Sequence, residues 1–138
     1  MPQQPYFIQF NSTGNSAEGY ISSTQFSDKL PFNVKRVFWT YNTPQEVVRG
    51  RHAHIATAQV LVAVNGNIDV KVDNGRGSTE TFKLSKPDQG LYLPPMYWAN
   101  LYFSEGAILL SLTSSDFDEA DYIRDYQDFV EKSKNEKV

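Results

Sequence analysis

Residues Gln59–Asp73 read QVLVAVNGNIDVKVD. Gln59–Val64 is a nearly continuous aliphatic run of strand length, which reads as a buried strand. Asn65-Gly66 follows it and is the dipeptide favoured in a type I′ hairpin turn. Asn67–Asp73 then alternates apolar Ile68, Val70 and Val72 with polar partners, as a half-buried strand does.

Outward from this stretch the same character holds. Towards the N-terminus, Val34–Tyr41 (VKRVFWTY) is rich in β-branched and aromatic residues. Tyr6–Phe10 and Gly19–Thr24 are shorter β-rich segments, with Asn11–Ala17 expected as a polar loop between them. Towards the C-terminus, Asn74–Ser78 turns the chain, and Thr79–Leu84, Gly90–Leu93, Leu101–Phe103 and Ala107–Thr113 complete about nine expected strands. Short, evenly spaced strands with turn signals between them predict an all-β sandwich or barrel.

The period changes after Thr113. Ile123, Tyr126 and Phe129/Val130 recur at helical spacing. One C-terminal helix is expected over about residues 116–131, capped by Ser114 or Ser115, with acidic residues at its N-terminus and its acidic face in solvent. Residues 132–138 are expected to fray.

A chain of 138 residues is the size of one domain, and residues 1–138 are taken as such. It has no cysteine, which excludes disulfides and thiolate metal sites and fits a reducing compartment. MPQQPYFIQF lacks the basic and apolar regions of a signal peptide. No apolar run approaches the roughly 18 residues of a membrane span. A soluble cytoplasmic protein is expected, with no membrane partner. Net charge is −3 without a basic stripe, so no nucleic-acid partner is expected. The negative charge gathers between Asp116 and Glu131, leaving the body of the chain slightly basic and suited to an anionic small molecule.

The chain has two histidines, and they form His52-Ala53-His54. In a strand, residues i and i+2 point to one side, so both imidazoles face a common space. Inside a barrel that space is a pocket; on the rim it is surface. The order is Gly50-Arg51-His52-Ala53-His54, four residues, Gln59, six residues, Gly66. It resembles the first cupin motif, whose two histidines and glutamate bind a metal, but Gln59 stands at the glutamate position. Gly90–Asn100 (GLYLPPMYWAN) resembles the second cupin motif, whose histidine position is Ala99. A neutral amide is a poor transition-metal ligand, and two imidazoles alone make a weak, open site. The expectation is a cupin pocket without metal or other cofactor, in which His itself moves protons near neutral pH.

Pro31–Val37 (PFNVKRV), Arg49–His54 (RGRHAH), Gly90–Pro95 (GLYLPP) and Asp118–Tyr126 (DEADYIRDY) resemble, in the right order over about residues 30–130, the nucleotide-sugar 3,4-ketoisomerases. These are cupins acting on dTDP-4-keto-6-deoxyglucose in bacterial surface-sugar biosynthesis, including lipopolysaccharide O-antigen and S-layer glycans. The resemblance implies a metal-free cupin jelly-roll barrel, a homodimer with exchanged N-terminal strands and a dTDP-linked keto-deoxysugar as partner. It implies a catalytic pair, His52 and His54, with His54 handling the carbon proton and His52 the oxygen proton. Arg49 and Arg51 are candidates for the diphosphate or a sugar oxygen, Gln59 for a sugar hydroxyl or for orienting a histidine, and Tyr97 and Asn100 for the pocket mouth. Trp98 is as much a core candidate. The chain departs from the family where Phe38 and Trp39 replace a tyrosine pair. It departs again where Ala17-Glu18-Gly19 lacks an arginine, and at Ala99, where some members carry a polar or basic residue. Two further readings stay open. One is a cupin that binds a nucleotide sugar without turnover. The other is another cupin enzyme, such as a sugar-nucleotide epimerase or a metal-dependent oxygenase.

Overall fold

The computed structural model describes residues 3–135. Twelve strands run in the order β1 (Tyr6–Gln9), β2 (Asn11–Asn15), β3 (Gly19–Ser23), β4 (Arg36–Thr40), β5 (Val48–His54), β6 (Gln59–Asn65), β7 (Ile68–Asp73), β8 (Thr79–Leu84), β9 (Gln89–Leu93), β10 (Trp98–Phe103), β11 (Ile108–Thr113) and β12 (Tyr122–Ile123), with helix α1 (Tyr126–Lys134) last. β4–β11 form two antiparallel sheets in jelly-roll order, β4-β11-β6-β9 and β5-β10-β7-β8. β1 extends the first sheet at β9, and β12 extends the second at β5. The cupin jelly roll is therefore two facing sheets; among the described residues they do not close into a hydrogen-bonded barrel.

The interior core lies between the sheets and includes Leu61, Ile68, Val70, Leu84, Leu91 and Leu109, each 2% exposed or less. β6 is buried on both faces because Phe10, Leu30, Phe32 and Val34 cover the outside of the first sheet, packing with Val60, Val62 and Tyr92.

Three local expectations are corrected. Asn65-Gly66 does not close a type I′ hairpin. Gly66 has φ +75° but Asn65 is not in the left-handed region, and the turn carries the chain from β6 in one sheet to β7 in the other. Gly66 is required there because a Cβ would lie 2.8 Å from Ala107 Cα. Asn11–Ala17 is not simply a loop, since β2 pairs with β3 in a separate hairpin.

The third correction concerns the C-terminal segment. Residues 116–125 are not helical beyond a single 3₁₀ turn at Glu119–Asp121. Tyr122 and Ile123 instead extend β5, pairing with His54 and Ala53, and so occupy the backbone groups of a buried sheet edge. α1 starts at Tyr126, where the Asp125 carboxylate accepts from the backbone N–H of Gln127 at 2.9 Å. Ser114 and Ser115 serve elsewhere: the Ser114 hydroxyl accepts from Ala58 N–H, and the Ser115 hydroxyl donates to Thr57 Oγ1. Lys132–Lys134 complete the helix, contrary to the expected fraying, and residues 136–138 of that tail lie outside the described residues. α1 packs on the body of the fold as expected, with Phe129 fully buried against Ala53, Trp98 and Ile123. No helix among the described residues is long and apolar enough to cross a membrane.

Candidate active site

The site is built on β5, which is irregular at its centre. Ala99 lies opposite His52 and Asn100 opposite Gly50, so Arg51 is an extra residue with no partner on β10. This is a β-bulge. Gly50 (φ +81°) and Arg51 (φ +60°) both adopt left-handed conformations to make it. A Cβ on Gly50 would lie 2.7 Å from the Ala99 carbonyl oxygen, so only glycine fits. The bulge resets the alternation. Arg49 then faces the same cavity as His52, together with Phe38, Gln59 and Leu101.

His52 and His54 face one space, with ring centroids 5.1 Å apart. His54 is 6% exposed. Its Nδ1 lies 2.9 Å from Asp121 Oδ2. Asp121 also accepts from Thr57 Oγ1 at 2.6 Å and from Ala56 N–H at 2.7 Å. Burial raises the Asp121 pKa, but these bonds outweigh it and hold the carboxyl below its usual range. The carboxylate can only accept, so Nδ1 of His54 carries the proton, and Nε2 accepts from the Gln59 amide nitrogen at 2.8 Å. Burial lowers the His54 pKa, and the bond to Asp121 offsets this only in part. His52 donates from Nδ1 to the Gly50 carbonyl at 2.9 Å, which leaves Nε2 as its lone-pair nitrogen. Burial and the neighbouring His54 lower its pKa to about 4, so His52 is neutral at pH 7.

Tyr122 closes one wall, its ring 5.0 Å from His52 and 4.4 Å from His54. A groove of about 410 Å³ leads from His52 past Phe38, Val47, Arg49, Tyr122 and Arg124. Three arginines stand around this mouth. Arg36 lies over the rings of Phe38 (4.9 Å) and Phe117 (5.3 Å) and donates to Tyr122 Oη at 3.3 Å. Its buried Nε has no hydrogen-bond partner among the described residues. Arg124 lies 4.3 Å over the Tyr122 ring and pairs with Glu119 through Nε at 2.7 Å.

Of the residues singled out in the sequence, the fold brings His52, His54, Arg49 and Gln59 together. Tyr97 borders the histidine cavity on one side and, on the other, a surface pocket lined by Gln3, Arg76 and Lys132. Arg51 and Asn100 are not at the pocket mouth. Both lie on the outer face of the second sheet, Asn100 by the ordinary alternation of β10 between inward Ala99 and Leu101, and they line a groove with Lys71, Asp73, Trp98 and Tyr126. Trp98 belongs to the core. Asp121, Tyr122, Thr57 and Arg36 were not singled out. The acidic run suggested only a solvated helix face, and the one available signal was that Asp121 and Tyr122 stand inside the DEADYIRDY block.

Residues 3–134 match the family described as FdtA: WxcM-like, C-terminal. The chain is 37% identical over 114 residues to TDP-4-oxo-6-deoxy-alpha-D-glucose-3,4-oxoisomerase of Aneurinibacillus thermoaerophilus, covering 82% of this chain and 81% of that one. The structure is similar to the 3,4-ketoisomerase QdtA of Thermoanaerobacterium thermosaccharolyticum, solved as a histidine-to-asparagine mutant with TDP-4-keto-6-deoxyglucose. The TM-score is 0.91 at 29% identity, covering 98% and 97% of the two chains. It is also similar to WlaRA, a TDP-fucose-3,4-ketoisomerase of Campylobacter jejuni, with a TM-score of 0.87 at 31% identity, covering 96% and 98%.

Proposed function

The chain belongs to the FdtA (WxcM-like, C-terminal) family and is a TDP-sugar 3,4-ketoisomerase, and we propose that it converts a TDP-4-keto-6-deoxyhexose to the 3-keto isomer by proton transfer through His52 and His54. The observation that carries this reading is two neutral imidazoles on one cavity wall, each with its tautomer fixed by an acceptor at Nδ1.

The C4 ketone acidifies the proton on C3. The sugar takes the place of the Gln59 amide at His54 Nε2, and the released amide donates to a keto oxygen. His54 Nε2 removes the C3 proton, the electron pair moves into a C3–C4 double bond, and charge develops on the C4 oxygen. His52 Nε2 takes the C3 hydroxyl proton and delivers a proton to the C4 oxygen, giving the enediol register. Return of the proton from His54 to C4 leaves the ketone at C3 and a hydroxyl at C4. Asp121 keeps His54 in the productive tautomer and stabilises the imidazolium formed midway. Every step uses imidazole chemistry, without metal or other cofactor. Arg49, Arg36 and Arg124 hold the diphosphate at the mouth, where guanidinium matches phosphate geometry.

The protein acts in the cytoplasm in bacterial surface-sugar biosynthesis, supplying deoxysugars of the kind found in O-antigen and S-layer glycans. It works as a homodimer with exchanged N-terminal strands. Support comes from the β2–β3 hairpin, which pairs with no other strand among the described residues and exposes Tyr20 (67%) and Ile21 (74%). An isolated two-stranded hairpin is marginal in water. In the single chain β1 pairs with β9 of its own sheet, so exchange requires that pairing to form between copies.

Proton NMR of the product formed from TDP-4-keto-6-deoxyglucose by chelator-treated protein tests the reaction class. A new C4–H signal coupled to C5–H, with the ketone at C3, is expected. A 4-keto product inverted at C3 or C5 would instead mark an epimerase.

A further inference from the structure

We infer that Ser111 is a sugar-binding residue of this site, its hydroxyl hydrogen-bonding an oxygen of the substrate hexose. The inference rests on the ketoisomerase reading above. Ser111 is central in β11, opposite Phe38 of β4 and Leu61 of β6. It lies in the sheet that faces the one carrying the histidines. It is 1% exposed and lines the cavity with His52, Arg49, Gln59 and the apolar wall of Leu61, Leu101 and Leu109. Its Oγ has no hydrogen-bond partner among the described residues. Thr113, two residues on and on the same face, is by contrast satisfied by the carbonyls of Arg36 (3.2 Å) and Ser115 (2.9 Å).

A buried hydroxyl without a partner destabilises a fold, and an aliphatic side chain at this position would serve packing better. The partner for Ser111 therefore comes from the contents of the cavity. A hexose bearing a ketone and hydroxyls offers both acceptors and donors, and a hydroxyl can answer either. With the reacting edge of the sugar against β5, Ser111 meets it from the opposite sheet. The leucines beside it suit the apolar parts of a deoxysugar.

The test compares Ser111→Ala and Ser111→Thr with the wild type. KM for TDP-4-keto-6-deoxyglucose, Kd for TDP alone and the thermal midpoint are measured for each. Ser111→Ala is expected to raise KM about three- to tenfold, the worth of one neutral hydrogen bond. It is expected to leave the Kd for TDP unchanged and the thermal midpoint equal or higher. Ser111→Thr, which keeps the hydroxyl, recovers most of the KM. An unchanged KM in Ser111→Ala overturns the inference. So does an equal loss for TDP and the sugar nucleotide, or a fall of several degrees in the midpoint, which would mark a packing role. Failure of the wild type to turn over any TDP-keto sugar overturns the ketoisomerase reading, and this inference with it.

Discussion

Asp121 does more for the site than its exposed neighbours in the acidic run. Its carboxylate accepts from His54, Ala56 and Thr57, and so ties the C-terminal segment to the strand that carries the histidines. Asp121→Asn offers an amide whose N–H₂ can turn towards Nδ1, which favours the opposite His54 tautomer and removes the lone pair from Nε2. Steady-state kinetics should then show a lower kcat with little change in KM, and nitrogen-15 NMR of the imidazole should show the tautomer shift. His52 sets a pH dependence of stated sign. Its folded pKa of about 4 lies below the 6.5 of a free imidazole, so between those values the unfolded chain binds the extra proton. Its contribution to stability is therefore complete above about pH 6.5 and is lost as pH falls towards 4. Denaturant titrations should show a smaller loss between pH 7 and pH 4.5 in His52→Asn than in the wild type. The histidine pair was legible in the sequence because period-two alternation does not depend on distant contacts. Asp121 was not, because it meets His54 from 67 residues away.

The bulge in β5 decides which polar residues reach the cavity. Strict alternation sets Arg49 and Arg51 together on the face opposite the histidines. The extra residue instead brings Arg49 round to His52 and leaves Arg51 outside. Nothing in the sequence marks this beyond Gly50, since Arg51 also takes a positive φ that its residue type does not advertise. Gly50→Ala forces a Cβ against the Ala99 carbonyl in a left-handed conformation. A loss of about 1–3 kcal/mol in chemical denaturation is expected, with turnover reduced because Arg49 and His52 lose their common face. The helix boundary is hidden in the sequence for a related reason. Helical spacing from Ile123 onward is real, but the edge of β5 requires partners, and Tyr122–Ile123 supply them before α1 begins. Strand positions in the body of the fold were legible because each carries its own hydrophobic pattern. The partners were not: Asn65-Gly66 has hairpin chemistry yet joins strands in different sheets.

At the scale of the molecule, two facing sheets hold an apolar interior at one end and a polar cavity at the other, with arginines at its mouth. An all-β sandwich or barrel followed from strand number and spacing, and the jelly roll from the family resemblance. The exposed apolar surface that remains, including Trp39 (60%) on β4, Tyr41 (59%) just after it and Ile21 on β3, was not readable as surface in advance, because aromatic strands look alike whether covered or not. The proposed dimer would cover this surface. Light scattering coupled to size exclusion should give twice the chain mass, and Ile21→Asp should shift the protein towards monomer; a wild-type monomer at working concentration contradicts the dimer. In the proposed reaction His54 moves a proton between carbons of a keto sugar. The most direct test is proton NMR in deuterated water with TDP-4-keto-6-deoxyglucose, comparing the wild type with His54→Asn. A 3-keto product carrying deuterium at C4 is expected for the wild type. For the variant, loss of both conversion and exchange by about a hundredfold or more is expected, with the nucleotide sugar still bound. A folded wild type that binds the sugar without converting or exchanging it, or a His54→Asn variant at full turnover, would contradict the proposed reaction.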